Sequence, residues 1–149
     1  MKFGLIGSGW SASALAWALN ALRFSVKEEG FPEVELSRVM SRTASKLEQF
    51  ARRYGFREWT TDESSFFKGD LDVVAISTPN NTHAYYALRA LEAGADVIIE
   101  KPFALSLSQA REVVAKAERL GREGAICLVS RLLPASVRRG SSFPGVSWG

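Results

Sequence analysis

Residues 7–12 read Gly7-Ser8-Gly9-Trp10-Ser11-Ala12, and what stands on either side of them decides the fold. Before them runs Lys2-Phe3-Gly4-Leu5-Ile6, an apolar segment of strand length. After them, residues 11–24 place Leu15, Ala18, Leu19 and Leu22 at helical spacing. Between a strand and a helix, the pattern G-x-G-x-x-A has a physical reading at each fixed position. The first glycine permits a tight turn, and the second lets the backbone come close to a bound group. The small third residue lets the helix pack against the strand. Free N–H groups and the positive end of the helix dipole then receive an anion. Gly7, Ser8, Gly9, Trp10, Ser11 and Ala12 together form the candidate phosphate loop. Glycine pairs at strand ends also serve as plain turns, and the order of the surrounding elements decides between the two readings.

That order is regular. Alanine fills much of 11–24, which predicts a helix buried on more than one side. Gly30 and Pro32 break the pattern, and 34–40 reads as a second strand. Residues 44–54 read as a helix with Leu47, Phe50 and Ala51 on one face and Gly55 closing it. A short strand at 56–59 and an acidic helical turn beginning near Asp62 follow. Residues 71–77 hold Val73, Val74, Ala75 and Ile76 without interruption, as strands covered on both faces do. Residues 82–93 carry Ala84, Ala87, Leu88 and Leu91 on one helical face, with Gly94 at the end, and 96–99 is another buried strand. Ser106 and Gln109 make a capping box for a helix whose stripe is Ala110, Val113, Val114, Ala117 and Leu120; Gly121 stops it. The next candidate strand is 125–130. Such alternation gives a parallel sheet with helices on both faces, because right-handed crossovers lie on the sheet. The predicted fold is a doubly wound α/β (Rossmann) domain over residues 1–123, followed by a last strand and an irregular tail over 124–149.

A chain of 149 residues has room for one ordinary domain. Its 46% apolar and 23% charged residues belong to a folded protein rather than a disordered one. A net charge of +3 makes no surface for nucleic acid, and the adjacent Arg138 and Arg139 of the tail are not a basic patch. Cys127 is the single cysteine and His83 the single histidine, which excludes an internal disulfide, a zinc site built on several histidines and a triad with a second histidine. The apolar run 14–22 is shorter than the roughly 20 residues a bilayer needs. The 7–9 interruption also breaks any likeness to a signal peptide. The expectation is a soluble cytoplasmic protein with neither membrane nor nucleic acid as partner.

A loop of this kind holds a dinucleotide, and the end of the second strand selects which. Domains that prefer NAD usually place an acidic residue there for the ribose 2′-hydroxyl. None stands between Leu36 and Leu47; residues 41–46 are Ser41-Arg42-Thr43-Ala44-Ser45-Lys46. A guanidinium and hydroxyls suit a 2′-phosphate through charge-assisted hydrogen bonds. Ser41 and Arg42 are therefore expected to favour NADP, with NAD still possible. The alternative is that Arg42 and Lys46 are solvated residues at a helix entrance.

After the 71–77 strand comes Ser77-Thr78-Pro79-Asn80-Asn81-Thr82-His83, and after the 96–99 strand Glu100-Lys101-Pro102. With the opening G-x-G-x-x-A and the Ser41-Arg42 pair, these motifs resemble the Gfo/Idh/MocA family of oxidoreductases (glucose–fructose oxidoreductase, inositol dehydrogenase and relatives). The resemblance covers residues 1 to about 123. Both segments fall at carboxyl ends of strands, where ligands bind in open α/β sheets. The resemblance implies an NAD(P)-binding domain with Thr78, Pro79 and Asn80 along the nicotinamide ribose, and with Ser77 and His83 near the cofactor. It assigns Lys101 to the active site, beside the nicotinamide and the substrate hydroxyl that loses its proton. Partial burial suits a lysine to this work, and its cation stabilises developing alkoxide charge. Glu100 is expected to orient Lys101 or the ribose, and Pro102 to fix the turn. Read without the family, Lys101 is a surface lysine and His83 a solvated residue in the first turn of a helix. Trp10 either stacks on the cofactor or covers the helix entrance. Trp17, Phe24, Phe50, Phe66 and Phe67 read as packing.

Members of that family continue into a second α/β domain that forms the substrate pocket and supplies a histidine and an acidic residue for proton transfer. No such domain is legible here. Arg131 and Pro134 match an R-x-x-P of the family, but beyond Glu123 there is no Asp or Glu, and 138–149 shows no periodicity. The expectation is a truncated or aberrant end, against a genuine short tail that binds a partner. A sheet edge left uncovered predicts association into a homo-oligomer. The expected function is hydride transfer between NADP(H) and a hydroxyl-bearing carbon of a sugar, cyclitol or similar small molecule, with turnover by this chain alone left open. The alternatives are a non-catalytic nucleotide-binding module and an NAD-dependent glycoside hydrolase.

Overall fold

Alternate residues of the central strands point to opposite faces of one sheet, and this alternation organises the molecule. The computed structural model describes residues 1–25 and 32–128. Strand β1 (Lys2–Ile6) leads into helix α1 (Trp10–Ser25), and β2 (Glu35–Met40) into a 3-10 turn at Ala44–Lys46 and helix α2 (Leu47–Tyr54). The short strand β3 (Glu58–Thr60) and helix α3 (Glu63–Phe66) complete the first half. In the second half, β4 (Val73–Ile76) leads through a 3-10 turn at Asn80–Thr82 to α4 (His83–Glu92), and β5 (Asp96–Ile99) to α5 (Leu107–Leu120) and β6 (Gly124–Ile126). The six strands lie parallel in the order β3-β2-β1-β4-β5-β6. The chain winds outward from β1, returns to the middle, and winds outward the other way from β4.

Leu5 and Ala75 join one buried cluster with Ala12, Ala16, Leu19, Leu36, Val39, Leu47 and Phe50, which places α1 and α2 on one face. Ile6, Val74 and Ile76 join the other, with Val97, Ile99, Ala87, Leu91 and Val113, which places α4 and α5 opposite. The period of two along each strand thus becomes two cores on one sheet. This is the doubly wound Rossmann arrangement. Gly55, Gly94 and Gly121 follow α2, α4 and α5 with φ of 78°, 84° and 60°, the left-handed stop that glycine adopts without strain. Asp62 caps α3 by accepting from the Ser65 N–H at 2.7 Å. Hydrogen bonds from Ser65, its side chain first and its backbone N–H second, hold the Asp62 carboxyl below the usual carboxylate range.

Several expectations need correction. Helix α1 is buried on one side only, through Ala12, Ala16 and Leu19; Ala14 and Ala18 are exposed, and Trp17 is 70% exposed. Its alanines bring the helix close to the sheet, and nothing described covers its outer side, so Trp17 is not a packing residue. Phe50 and Phe66 are buried and Phe67 packs edge-on against Phe66, whereas the Phe24 side chain lies outside the described residues. In α5 only Val113 is fully buried, while Val114 and Leu120 are exposed, because one edge of the stripe meets α4 and the other meets nothing described. The cap of that helix also differs in detail. Ser106 accepts from the Gln109 N–H at 3.2 Å, but the Gln109 side chain reaches past it to the Leu105 N–H. The 125–130 strand is the shorter, exposed β6, and the tail reading lies outside the described residues.

Candidate functional site

Where the winding reverses, the turns after β1 and β4 leave the sheet in opposite directions and open a cleft between them, as at the ligand sites of open α/β sheets. A row of backbone bonds closes the ladders just below it. Gly7 N–H donates to Met40 O at 2.8 Å, Ser77 N–H to Ile6 O at 2.8 Å and Glu100 N–H to Ile76 O at 2.9 Å. The cleft above has a volume of about 510 Å³. Its walls are the first loop (Gly7, Ser8, Gly9), the β2 exit (Ser41, Arg42, Thr43) and the β4 exit (Ser77, Thr78, Pro79), with Thr61, Glu63, Thr82 and Tyr86 closing the sides.

The two loop glycines do different work. Gly7 has φ 122°, and a Cβ there would lie 2.2 Å from the Ser77 carbonyl oxygen, so the backbones cross in contact. A Cβ at Gly9 would meet nothing within 4 Å, which leaves its approach open to a ligand. The first helical bond of α1 runs from Ser13 N–H to Gly9 O at 2.9 Å. The N–H groups of Trp10, Ser11 and Ala12 precede it and have no acceptor within the helix. Ala12 is fully buried beneath them. An open backbone approach, unpaired helical N–H groups and a buried small residue suit the pyrophosphate of a dinucleotide. Ser8 and Ser41 are joined across the cleft by a 3.0 Å hydroxyl bond, and Ser41 also accepts from the Thr43 N–H at 3.4 Å.

Arg42 is exposed at the mouth of the cleft, while Lys46, also exposed, is not part of its walls. Glu63 faces the same cleft but is held from behind, accepting from the Tyr85 hydroxyl at 2.9 Å and from Arg89 Nε at 2.9 Å. Burial, with the Glu63 charge, pushes the Tyr86 phenol above its usual range, and the Arg42 guanidinium pulls it down. Arg42 is thus within electrostatic reach of the wall.

The second group of sequence-predicted residues stands outside these walls. Trp10 opens α1 at 87% exposure and Ser11 is half-buried. Asn80 is exposed in the 3-10 turn. The Thr82 hydroxyl contacts both the Thr78 hydroxyl at 2.8 Å and the Pro79 carbonyl at 2.7 Å, which closes that turn. His83 is buried, contrary to a solvated helix start, with its ring nitrogens 2.7 Å from Pro102 O and 2.8 Å from Thr78 O. Glu100 is half-buried and accepts from the Lys101 N–H at 3.2 Å. Lys101 itself is exposed. The partial burial expected of it is missing. Burial and the nearby Glu100 charge push the Cys127 thiol up, which keeps it protonated and unsuited to nucleophilic work.

Thr43, Thr61, Glu63, Thr82 and Tyr86 are wall residues that sequence reasoning did not single out. Thr43 and Thr82 lie inside the 41–46 and 77–83 stretches, and Tyr86 lies one helical turn beyond His83, whereas Thr61 and Glu63 carried no signal. Among the described residues no cluster of His, Cys, Asp and Glu could hold a metal ion, and no helix is long and apolar enough to cross a membrane.

The family model described as an oxidoreductase family with an NAD-binding Rossmann fold matches residues 1–126. An uncharacterized oxidoreductase of Escherichia coli, YdgJ, is 34% identical over 128 residues, covering 82% of this chain and 32% of its own length. Levoglucosan dehydrogenase of Pseudarthrobacter phenanthrenivorans is 37% identical over 108 residues, covering 70% of this chain and 27% of its own. A solved structure of levoglucosan dehydrogenase in complex with NADH and L-sorbose superposes with a TM-score of 0.85 at 27% identity, covering 95% of this chain and 38% of that one. The chain therefore spans about a third of the length of these relatives.

Proposed function

The chain belongs to the Gfo/Idh/MocA oxidoreductase family, with its NAD-binding Rossmann fold, and on that premise we propose that it binds NADP(H) in preference to NAD(H). The reaction it serves is hydride transfer to or from a hydroxyl-bearing carbon of a sugar, cyclitol or similar small molecule. The observation that carries this reading is convergence: residues 7–9, 41–43 and 77–79, distant in sequence, wall one cleft at the winding reversal.

The dinucleotide supplies the hydride chemistry when bound. The chain's own residues bind and orient. The N–H groups at the start of α1 and the open face of Gly9 receive the pyrophosphate, and Ser41 with Arg42 receives a 2′-phosphate. Thr78, Pro79 and Asn80 would lie along the nicotinamide ribose, with Ser77 beside them at the β4 exit. Lys101, its backbone held by Glu100, exchanges the proton of the substrate hydroxyl. The NADH and L-sorbose of levoglucosan dehydrogenase support the cofactor type and the substrate class. The NADP preference rests instead on this chain, whose β2 exit carries Ser41-Arg42 and no carboxylate. A homo-oligomer is inferred as well, through the β6–α5 edge, where Val114, Leu120, Ile126 and Leu128 are exposed.

Calorimetric titration of the chain and of Arg42→Asp with NADPH and NADH tests the reading. NADPH binds more tightly than NADH, and the substitution weakens NADPH by about tenfold or more while changing NADH little. Equal affinities in the unchanged chain contradict the NADP preference, and no binding of either cofactor removes the reading altogether. A non-catalytic nucleotide-binding module is favoured by one observation, the exposure of Lys101 outside the cleft. Cofactor binding with no hydride transfer from any polyol to the oxidised cofactor would support it.

A further inference from the structure

Both ring nitrogens of His83 face backbone carbonyls, Nδ1 at 2.7 Å from Pro102 O and Nε2 at 2.8 Å from Thr78 O. A neutral imidazole has one donor and one acceptor, and a carbonyl oxygen only accepts. With a neutral ring, one of these contacts would set lone pair against lone pair at hydrogen-bond distance. His83 is 1% exposed, so bulk water does not relieve such a contact. Both contacts are hydrogen bonds only when both nitrogens carry protons.

The two bonds tie parts of the molecule that the sheet no longer joins. Strands β4 and β5 are paired up to the bond from Glu100 N–H to Ile76 O, and their chains then part into the Thr78-Pro79 and Lys101-Pro102 turns. His83, the first residue of α4, reaches one carbonyl in each turn from behind. It takes over where the ladder ends.

We propose that His83 is a double-donor clasp whose two ring N–H groups fix the Thr78 and Pro102 carbonyls and so set the spacing between Lys101 and the seat of the nicotinamide ribose. The inference rests on the function proposed above for those two turns. His83 touches neither cofactor nor substrate in this account; it is a positioning residue. A residue that only filled volume would need no protons on either side.

His83 is the only histidine in the chain, so isotope-labelled histidine reports on it alone. In the full 149-residue chain, NMR at the pH used for cofactor titration is expected to show two imidazole N–H protons, both protected from exchange with water. A ring nitrogen without a proton overturns the clasp. The second measurement is NADPH titration of His83→Gly with added imidazole or 1-methylimidazole. Imidazole can present N–H donors on both sides, whereas 1-methylimidazole can present one. The substitution weakens binding by about tenfold to a hundredfold, the range expected for losing charge-assisted hydrogen bonds, and imidazole restores most of the loss while 1-methylimidazole does not. Equal rescue by both, or binding unchanged by the substitution, overturns the proposal. If His83→Gly does not fold, the NMR result on the unchanged chain decides. An unchanged chain that binds no dinucleotide refutes the function of the turns, and the count of ring protons still tests the clasp separately.

Discussion

The centre of the sheet and its β6 edge are built to different tolerances. At the centre, Leu5, Ile6, Val74, Ala75 and Ile76 are essentially inaccessible, and the turn after β1 passes within contact of Ser77. At the edge, every residue of β6 is exposed and α5 fully buries Val113 alone. The helical periodicity of α5 is as regular as that of α4, yet α4 buries five residues and α5 one. Periodicity therefore says that a face is apolar, not that a partner covers it. The cleft belongs to the tightly built region, where close backbone approaches hold its loops in place without help from long side chains.

The sharpest test of the contrast is Gly7→Ala. The new Cβ would overlap the Ser77 carbonyl, and the residue would have to hold a φ of 122°. A loss of about 3 kcal/mol or more is expected, read by denaturant unfolding, with cofactor binding lost alongside it. Unchanged stability would break the comparison at its strong end. At the weak end, Val114→Glu with Leu120→Glu places charges on side chains already 47% and 43% exposed. Stability should then move by no more than about 0.5 kcal/mol, while self-association read by sedimentation velocity disappears. A loss of several kcal/mol would show the edge to be packed as firmly as the centre, and a monomer in the unchanged chain would contradict the inferred homo-oligomer.

Much of the fold was legible because local chemistry and tertiary demand agree. The bounds of β1 and β5 were read residue for residue, since β1 stops at the glycine turn and β5 lies between the Gly94 stop and the Glu100 turn. Gly55, Gly94 and Gly121 were readable as helix stops for the same reason. The burial of α1 was misjudged because alanine fits a close helix–sheet contact and an open surface equally well, and both occur along that helix. In the site, the loop glycines and the strand-end motifs were legible from position alone. The Ser8–Ser41 bond was not, because its partners stand 33 residues apart. The surroundings of His83 were hidden for a related reason: its partners are main-chain carbonyls, which leave no trace in residue identity.

The most direct measurement of the central claim, that the first loop is a phosphate seat, is NADPH and NADH titration of Gly9→Asp. Aspartate is a favoured helix N-cap, and the structure leaves the space in front of Gly9 open, so the variant should fold with a Tm equal to or above that of the unchanged chain. Its carboxylate would occupy the positive end of α1 and repel a pyrophosphate. A phosphate seat at this loop gives a stable Gly9→Asp protein that has lost affinity for both cofactors. A stable Gly9→Asp chain that binds them as tightly as before would contradict it.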